Sequence, residues 1–150
     1  MLKLKDSIIV DIDGTLANGE HRQHWLKNKP KNWNAYQAAI HLDTPINPVI
    51  DLVNILYSTG LAILLCSGRQ EKERKATEEW MKRHEVKYTE LYMRPTEDYV
   101  DDTVIKERMF HRLKEEYNIK FVIDDRKKVK RKWVELGVFV MDVNQHDIEF

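Results

Sequence analysis

Ser7-Ile8-Ile9-Val10-Asp11-Ile12-Asp13-Gly14-Thr15 is the stretch that decides how this chain is read. A β-branched apolar run ends abruptly in two carboxylates, then Gly and Thr. Without polar alternation, the run reads as a buried parallel strand over residues 7–12, covered on both faces. Strand side chains two apart point the same way, so Asp11 and Asp13 project together where the strand leaves the sheet. Gly14 permits a tight departure. Two carboxylates aimed into one crevice repel each other, and a divalent cation is the simplest way to offset them. A strand followed by an Asx-type turn accounts for the same residues, so the rest of the chain must decide.

Outward from that strand, apolar runs alternate with helical spacing. Residues 16–44 form an insertion too long for an ordinary strand-to-helix loop. It carries Trp25, Trp33 and Tyr36 among basic residues, with one or two short helices from Trp25 to Ile40, broken near Asn28-Lys29-Pro30-Lys31. A helix follows with Asn47 as N-cap and Pro48 at its first position, and Gly60 closes it. Leu61–Cys66 is a second all-apolar strand, stopping at Ser67-Gly68-Arg69. Glu71–His84 is a charged helix with Ala76, Trp80 and Met81 inward. Tyr88–Met93 is a strand, and Asp102–Tyr117 a helix with Ile105, Met109 and Leu113 at every fourth position. Lys120–Ile123 is a strand ending at Asp124-Asp125. Val129, Trp133 and Leu136 line a last helix, and Val138–Val143 is the last strand. This alternation predicts an α/β fold with a parallel sheet and right-handed crossovers. Ligands bind such sheets beyond the carboxyl ends of the strands, and three of those ends are polar here.

The bulk numbers narrow the function classes. The 150 residues favour one domain, and 25 basic against 25 acidic residues give no global nucleic-acid signal. The single cysteine, Cys66, excludes an internal disulfide and fits a reducing compartment. Leu61–Cys66 is far too short to span a membrane, and the first six residues lack a secretory apolar region. A soluble cytoplasmic protein is expected.

The polar strand ends supply a chemistry. Carboxylates at Asp11, Asp13, Asp124 and Asp125 can hold Mg²⁺ through oxygen ligands. Ser67 and the backbone N–H groups after it can donate to phosphoryl oxygens, and Lys106 adds a point charge. Positioning, charge stabilisation and an in-line nucleophile are the ingredients of phosphoryl transfer. Asp125 either contacts the ligand set or caps the following helix. Asp102 either favours its helix N-terminus or orients Lys106 or Arg69. Trp25, Trp33 and Tyr36 read first as packing residues, though their basic neighbours also suit stacking on bases. His21, His24 and His41 lack a zinc pattern. The basic run Arg126–Lys132 reads as a solvated helix face, in preference to a nucleic-acid track.

Asp11-Ile12-Asp13-Gly14-Thr15, Ser67, Lys106 and Asp124-Asp125 stand in the order and spacing of the four motifs of the haloacid dehalogenase superfamily, which the chain resembles over residues 7–126. The resemblance implies a Rossmann-like three-layer α/β sandwich with a small helical cap at 16–44. It also implies a two-step, Mg²⁺-dependent phosphohydrolase. Asp11 would be the nucleophile and Asp13 the acid/base. Asp11, Asp124 and the Asp13 backbone carbonyl would hold Mg²⁺, and Ser67 and Lys106 the phosphoryl group. More narrowly, Ile46-Asn47-Pro48-Val49, Ser67-Gly68-Arg69, Asp102-Thr103-Val104-Ile105-Lys106-Glu107 and Ile123-Asp124-Asp125-Arg126 are similar to phrases of phage polynucleotide 3′-phosphatase domains. That likeness implies substrate-binding roles for Arg22, Gly68, Arg69 and Asp102, and a 3′-phosphate on a nucleic-acid end or nucleotide as substrate. A nucleotidase acting on free mononucleotides and a non-catalytic phosphate-binding domain are the alternatives. No Gly-x4-Gly-Lys-Ser/Thr loop occurs, so kinase chemistry, like ligation, would need a separate partner.

Overall fold

The Ile8-Ile9-Val10 run lies in the central strand β1 (Lys5–Val10), buried from Ser7 onward. The structure is a computed structural model that describes residues 3–147. Beside β1 stand β4 (Ala62–Gln70), β5 (Glu90–Arg94), β6 (Tyr117–Asp124) and β7 (Val140–Asp142). The sheet order is β5-β4-β1-β6-β7 and every pairing is parallel. The chain runs outward from β1 to β5, then restarts on the other side with β6. That switch point leaves the carboxyl ends of β1, β4 and β6 side by side.

The absence of alternation in the strands has the expected cause. Ile8, Val10, Ile63 and Leu65 pack with Val49, Ile50 and Val53 of α3 (Asn47–Ser58) and with Trp80 and Met81 of α4 (Arg74–Arg83). Ile9, Ala62, Leu64 and Cys66 pack on the opposite face with Ile105, Met109 and Leu113 of α5 (Asp102–Leu113) and Val129 and Trp133 of α6 (Lys127–Glu135). Trp80 and Trp133 are both fully buried, one in each layer. This is the α/β sandwich expected, and no helix among the described residues is long and apolar enough to cross a membrane.

Several boundaries differ from the sequence reading. Asn47 is the first helical residue and Ile46 the cap position, because the Ile46 carbonyl accepts from Val49 N and Ile50 N. The helix from Asp102 stops at Leu113, and Tyr117 opens β6, because Lys5–Ser7 of β1 offers Tyr117–Ile119 a partner. β4 runs through Ser67-Gly68-Arg69 with an irregular register between Ser67 and Gln70. A 3₁₀ turn at Glu71–Glu73 precedes α4, β5 begins at Glu90, and β7 spans three residues. Strand β1 ends at Val10, so Asp11 and Asp13 lie in the turn beyond it.

Two strands were invisible in the sequence. β2 (Ala17–Asn18) pairs antiparallel with β3 (Thr44–Pro45), so residues 19–43 leave and rejoin the fold at one point. Within that span lie α1 (His24–Lys27) and α2 (Trp33–Ala38), broken where expected. The insertion is pinned from below, where Trp80 Nε1 donates to the Asp43 carbonyl at 2.9 Å. We expect Trp80→Phe to strand that buried carbonyl and cost about 1–3 kcal/mol in urea unfolding. A loss below measurement error would show that the pin is not needed.

Candidate active site

The turn after β1 is built around Gly14. Its φ is +82°, and a Cβ there would sit 2.0 Å from Asp125 Oδ2. Glycine therefore satisfies both the backbone and the approach of Asp125 from the end of β6. Thr15 Oγ1 lies 3.3 Å from Asp11 Oδ2 and 3.1 Å from Asp125 Oδ1, tying the two strand ends together. Asp125 thus faces the site, and its reading as a helix cap is corrected: Arg126 holds the cap position of α6 without a side-chain bond.

Asp11, Asp124 and Asp125 are all buried, and each offers an oxygen within 4.8 Å of the others. One cation answers them. Lys106 Nζ donates to Asp11 Oδ1 at 2.7 Å and to the Cys66 carbonyl at 2.6 Å, and lies 3.8 Å from Asp124 Oδ2. Burial alone would lower the Lys106 ammonium, but Asp11 and Asp124 outweigh it and keep it charged. Three carboxylates against one ammonium leave an excess of negative charge. Burial first, and then Asp124, raise the Asp11 carboxyl well above its ordinary value despite Lys106. Burial likewise pushes Asp125 up to about 6. A hard, all-oxygen donor set whose own repulsion resists ionisation fits a divalent cation. Asp124 is oriented by donors from Asp125 N at 2.8 Å and Trp133 Nε1 at 3.2 Å.

Asp13 takes the other side of the crevice. Arg69 reaches it through Nη2 at 2.7 Å and Nε at 3.1 Å, and Arg22 Nη2 donates to it at 2.9 Å. Burial raises the Asp13 carboxyl, but the charge and hydrogen bonds of Arg69, then Arg22, hold it below the ordinary value. Its carboxylate is not one of the three that cluster, so a metal role for Asp13 rests with its backbone carbonyl alone. The two arginines, expected as substrate clamps, are held in turn by Asp43. Its buried carboxylate accepts from Arg22 Nε and Nη2 at 2.8 and 2.9 Å and from Arg69 Nη2 at 3.2 Å. His21 Nε2 lies 2.7 Å from the same group, and Thr77 Oγ1 accepts from Arg69 Nη1. Sequence reasoning passed over Asp43 and Thr77. An acid before Thr44-Pro45 looks like any turn residue, and only the β2–β3 pairing carries it inward.

Ser67 Oγ, fully buried, accepts from Arg69 N at 3.0 Å and keeps its own hydrogen to donate. A Cβ on Gly68 would fall 2.4 Å from Asp102 Oδ1, so glycine lets the head of α5 close on this bulge. Asp102 lies beside Arg94 at 3.7 Å and Arg126 at 3.5 Å and adds to the field that keeps Lys106 charged; its contact is not with Arg69. Arg94, also missed, straps β5 to the bulge by donating to the Gly68 carbonyl at 2.9 Å. Burial pushes the Cys66 thiol up to about 12, which keeps it protonated and inert.

The family described as the polynucleotide kinase PNKP phosphatase domain matches residues 5–148. The "Putative bifunctional polynucleotide kinase/RNA ligase" of Autographa californica nuclear polyhedrosis virus is 28% identical over 152 residues, covering 99% of this chain and 21% of that protein. A chain of a Pnkp1/Rnl/Hen1 RNA repair complex has 30% identity and a TM-score of 0.79, over 97% of this chain and 44% of that one. The class C acid phosphatase of Bacillus anthracis, with tungstate bound, shares the fold at a TM-score of 0.70 and 15% identity, over 96% and 68% of the two chains. The chain thus spans less than half the length of the first two relatives. It belongs to the family of polynucleotide kinase PNKP phosphatase domains, phosphatases of the haloacid dehalogenase superfamily.

Proposed function

We propose that the chain is a Mg²⁺-dependent phosphatase that removes 3′-phosphates from polynucleotide ends through an aspartyl-phosphate on Asp11. The supporting observation is the division of labour at the end of β1. Asp11 sits with Lys106 and the carboxylate cluster, while Asp13 sits apart with two guanidinium groups. Asp11 and Asp124, with the Asp13 carbonyl and with Asp125 alongside, would hold the cation. When bound, it would lower the Asp11 pKa and offset phosphate charge.

In the first step an Asp11 oxygen attacks phosphorus and the bond to the 3′ oxygen breaks, with Asp13 giving that oxygen its proton. In the second, Asp13 takes a proton from water as the water oxygen attacks phosphorus, freeing Asp11 and inorganic phosphate. Lys106 and the Ser67 hydroxyl hold the phosphoryl oxygens. For Asp13 to carry a proton, its pKa must rise from its depressed value. An incoming phosphate competes for the donors of Arg69 and Arg22, and each hydrogen bond Asp13 loses raises it. The relatives include a kinase/ligase protein and a repair complex. Kinase and ligase chemistry would fall to segments or chains other than these 150 residues.

The deciding experiment measures phosphate release from a 3′-phosphorylated oligonucleotide, a 5′-phosphorylated one and free mononucleotides, with and without EDTA. Release from the 3′ end alone, abolished by EDTA, is expected. Equal rates on all substrates would remove the 3′-end reading. Asp11→Asn should abolish turnover without changing the circular dichroism spectrum, and full activity in that variant would overturn the mechanism. Asp13→Ala should cost about 10²–10⁴-fold in kcat.

The carboxylate cluster carries its own test. An acid whose folded pKa is raised stabilises the fold only while protonated. For Asp125 that contribution is complete below about pH 4 and lost as pH rises through about 6. In EDTA, Asp125→Asn should therefore melt above the wild type at pH 8, with the gap narrowing toward pH 4. Added Mg²⁺ should raise the wild-type Tm more than that of the variant. A gap independent of both pH and Mg²⁺ would contradict a cation site here.

A further inference from the structure

The chain as a whole is neutral, but its charge is segregated. Residues 21–42 contain no Asp or Glu, yet include Arg22, Lys27, Lys29 and Lys31. The acids at either end do not discharge the three lysines. Asp43 is buried among Arg22, Arg69 and His21, and Glu20 forms no ion pair among the described residues. Among those residues Lys27, Lys29 and Lys31 form none either. The basic run of α6 is the reverse: Lys127, Lys128, Lys130 and Lys132 pair with Asp147, Asp101, Asp142 and Glu107 in turn. The stretch richest in cations by sequence is therefore largely neutralised, whereas the three lysines of the insertion are not.

The same surface exposes aromatic rings. Neither α1 nor α2 buries a residue. Trp25 is 38% exposed and Trp33 52%, whereas Trp80 and Trp133 are fully buried. An open depression of about 360 Å³ is lined by Pro30, Lys31, Asn32, Trp33 and Asn34. A run of contacts joins this face to the site. Trp33 meets Tyr36 edge-on with ring centroids 6.0 Å apart, and the Arg22 guanidinium lies 4.2 Å over the Tyr36 ring. Arg22 in turn binds Asp13 at 2.9 Å.

Lys31 Nζ lies 5.8 Å over the Trp33 ring and the His24 ring 4.6 Å from that of Trp25, so cation and ring already share this surface. Cations without an ion pair beside exposed rings suit a polyanion whose bases are available for stacking. A duplex keeps its base faces stacked internally, so it offers phosphates to the lysines but nothing to the rings. We propose that residues 25–34 form a docking surface for single-stranded nucleic acid, with the bases stacking on Trp33 and Trp25 and the phosphates on Lys27, Lys29 and Lys31. This surface would guide a 3′ end toward Asp13. The proposal rests on the reading of the chain as a polynucleotide 3′-phosphatase, and extends it to the strand behind the terminal phosphate.

The test is equilibrium binding of a fluorescent ten-nucleotide single strand without a 3′-phosphate, so that turnover plays no part. Trp33→Ala should weaken binding by about 5- to 150-fold, the range for one lost base–ring stack. Trp33→Phe should recover much of that loss. Reversing the charge of Lys27, Lys29 and Lys31 together should flatten the slope of log K against log salt by about 2. Lys75→Glu, on the exposed side of α4, should leave binding unchanged. Since neither Trp33 nor the three lysines are buried, all variants should keep the wild-type melting curve. Wild-type affinity in both Trp33→Ala and the triple variant, as a protein-docking face would show, overturns the proposal, as does equal affinity for a blunt duplex. The two readings fail separately. Strand binding that needs Trp33 without release of any 3′-phosphate removes the phosphatase specificity and leaves the surface. Release of 3′-phosphate by an enzyme whose strand binding ignores Trp33 does the opposite.

Discussion

A single buried ammonium holds the site together. Lys106 is almost wholly out of solvent, and its presence there depends on Asp11 and Asp124, which outweigh the cost of removing it from water. The dependence runs both ways, since Lys106 is the cation that lowers the Asp11 carboxyl against burial and Asp124. Lys106 comes from the first turns of α5, Asp11 from the end of β1, Asp124 from the end of β6 and the Cys66 carbonyl from β4. Three strands and a helix therefore meet at one nitrogen. The apolar packing of Ile105 and Met109 beneath α5 is what brings the lysine to that point.

Charge divides the crevice into two halves. On one side three carboxylates face one ammonium, and the shortfall invites a cation. On the other, Asp13 and Asp43 face Arg22 and Arg69, and the formal charges balance. The first half is incomplete by electrostatics alone, whereas the second is complete and must be opened by substrate. This difference explains why two acids two residues apart have pKa shifts of opposite sign. It also gives the insertion a structural part in the site, since Arg22 and Asp43 both belong to it.

The sheet was legible because uninterrupted apolar runs such as Ile8–Val10 and Leu61–Cys66 have few other homes, and the polar strand ends marked the site. Strand limits were less legible. Tyr117–Lys120 alternates like an ordinary surface segment and becomes strand only because β1 offers it a partner. β2 and β3, two residues each, have no periodicity to detect. Asp43 shows the same limitation at the site. Its role comes from a fold-back of the chain that joins it to Arg22, 21 residues away, and Arg69, 26 residues away. A carboxylate's neighbours in space, more than its type, decide whether it is a turn residue or a partner for two guanidinium groups.

The basic segments carry that point to the surface. Counted along the chain, Arg126–Lys132 is the denser basic run, with six cations in seven residues against three lysines in residues 25–33. Counted in space, α6 lies against acids at the head of α5 and within it, in β7 and beyond β7, which pair with four of its lysines. The insertion has no acids between residues 21 and 42, and its three lysines form no ion pair among the described residues. Attraction for a phosphate backbone follows the uncompensated charge, because an ion-paired lysine must give up one anion to take another. By that criterion the three lysines of the insertion are better placed to take a phosphate than the paired lysines of α6, and Arg22 of the same insertion touches Asp13.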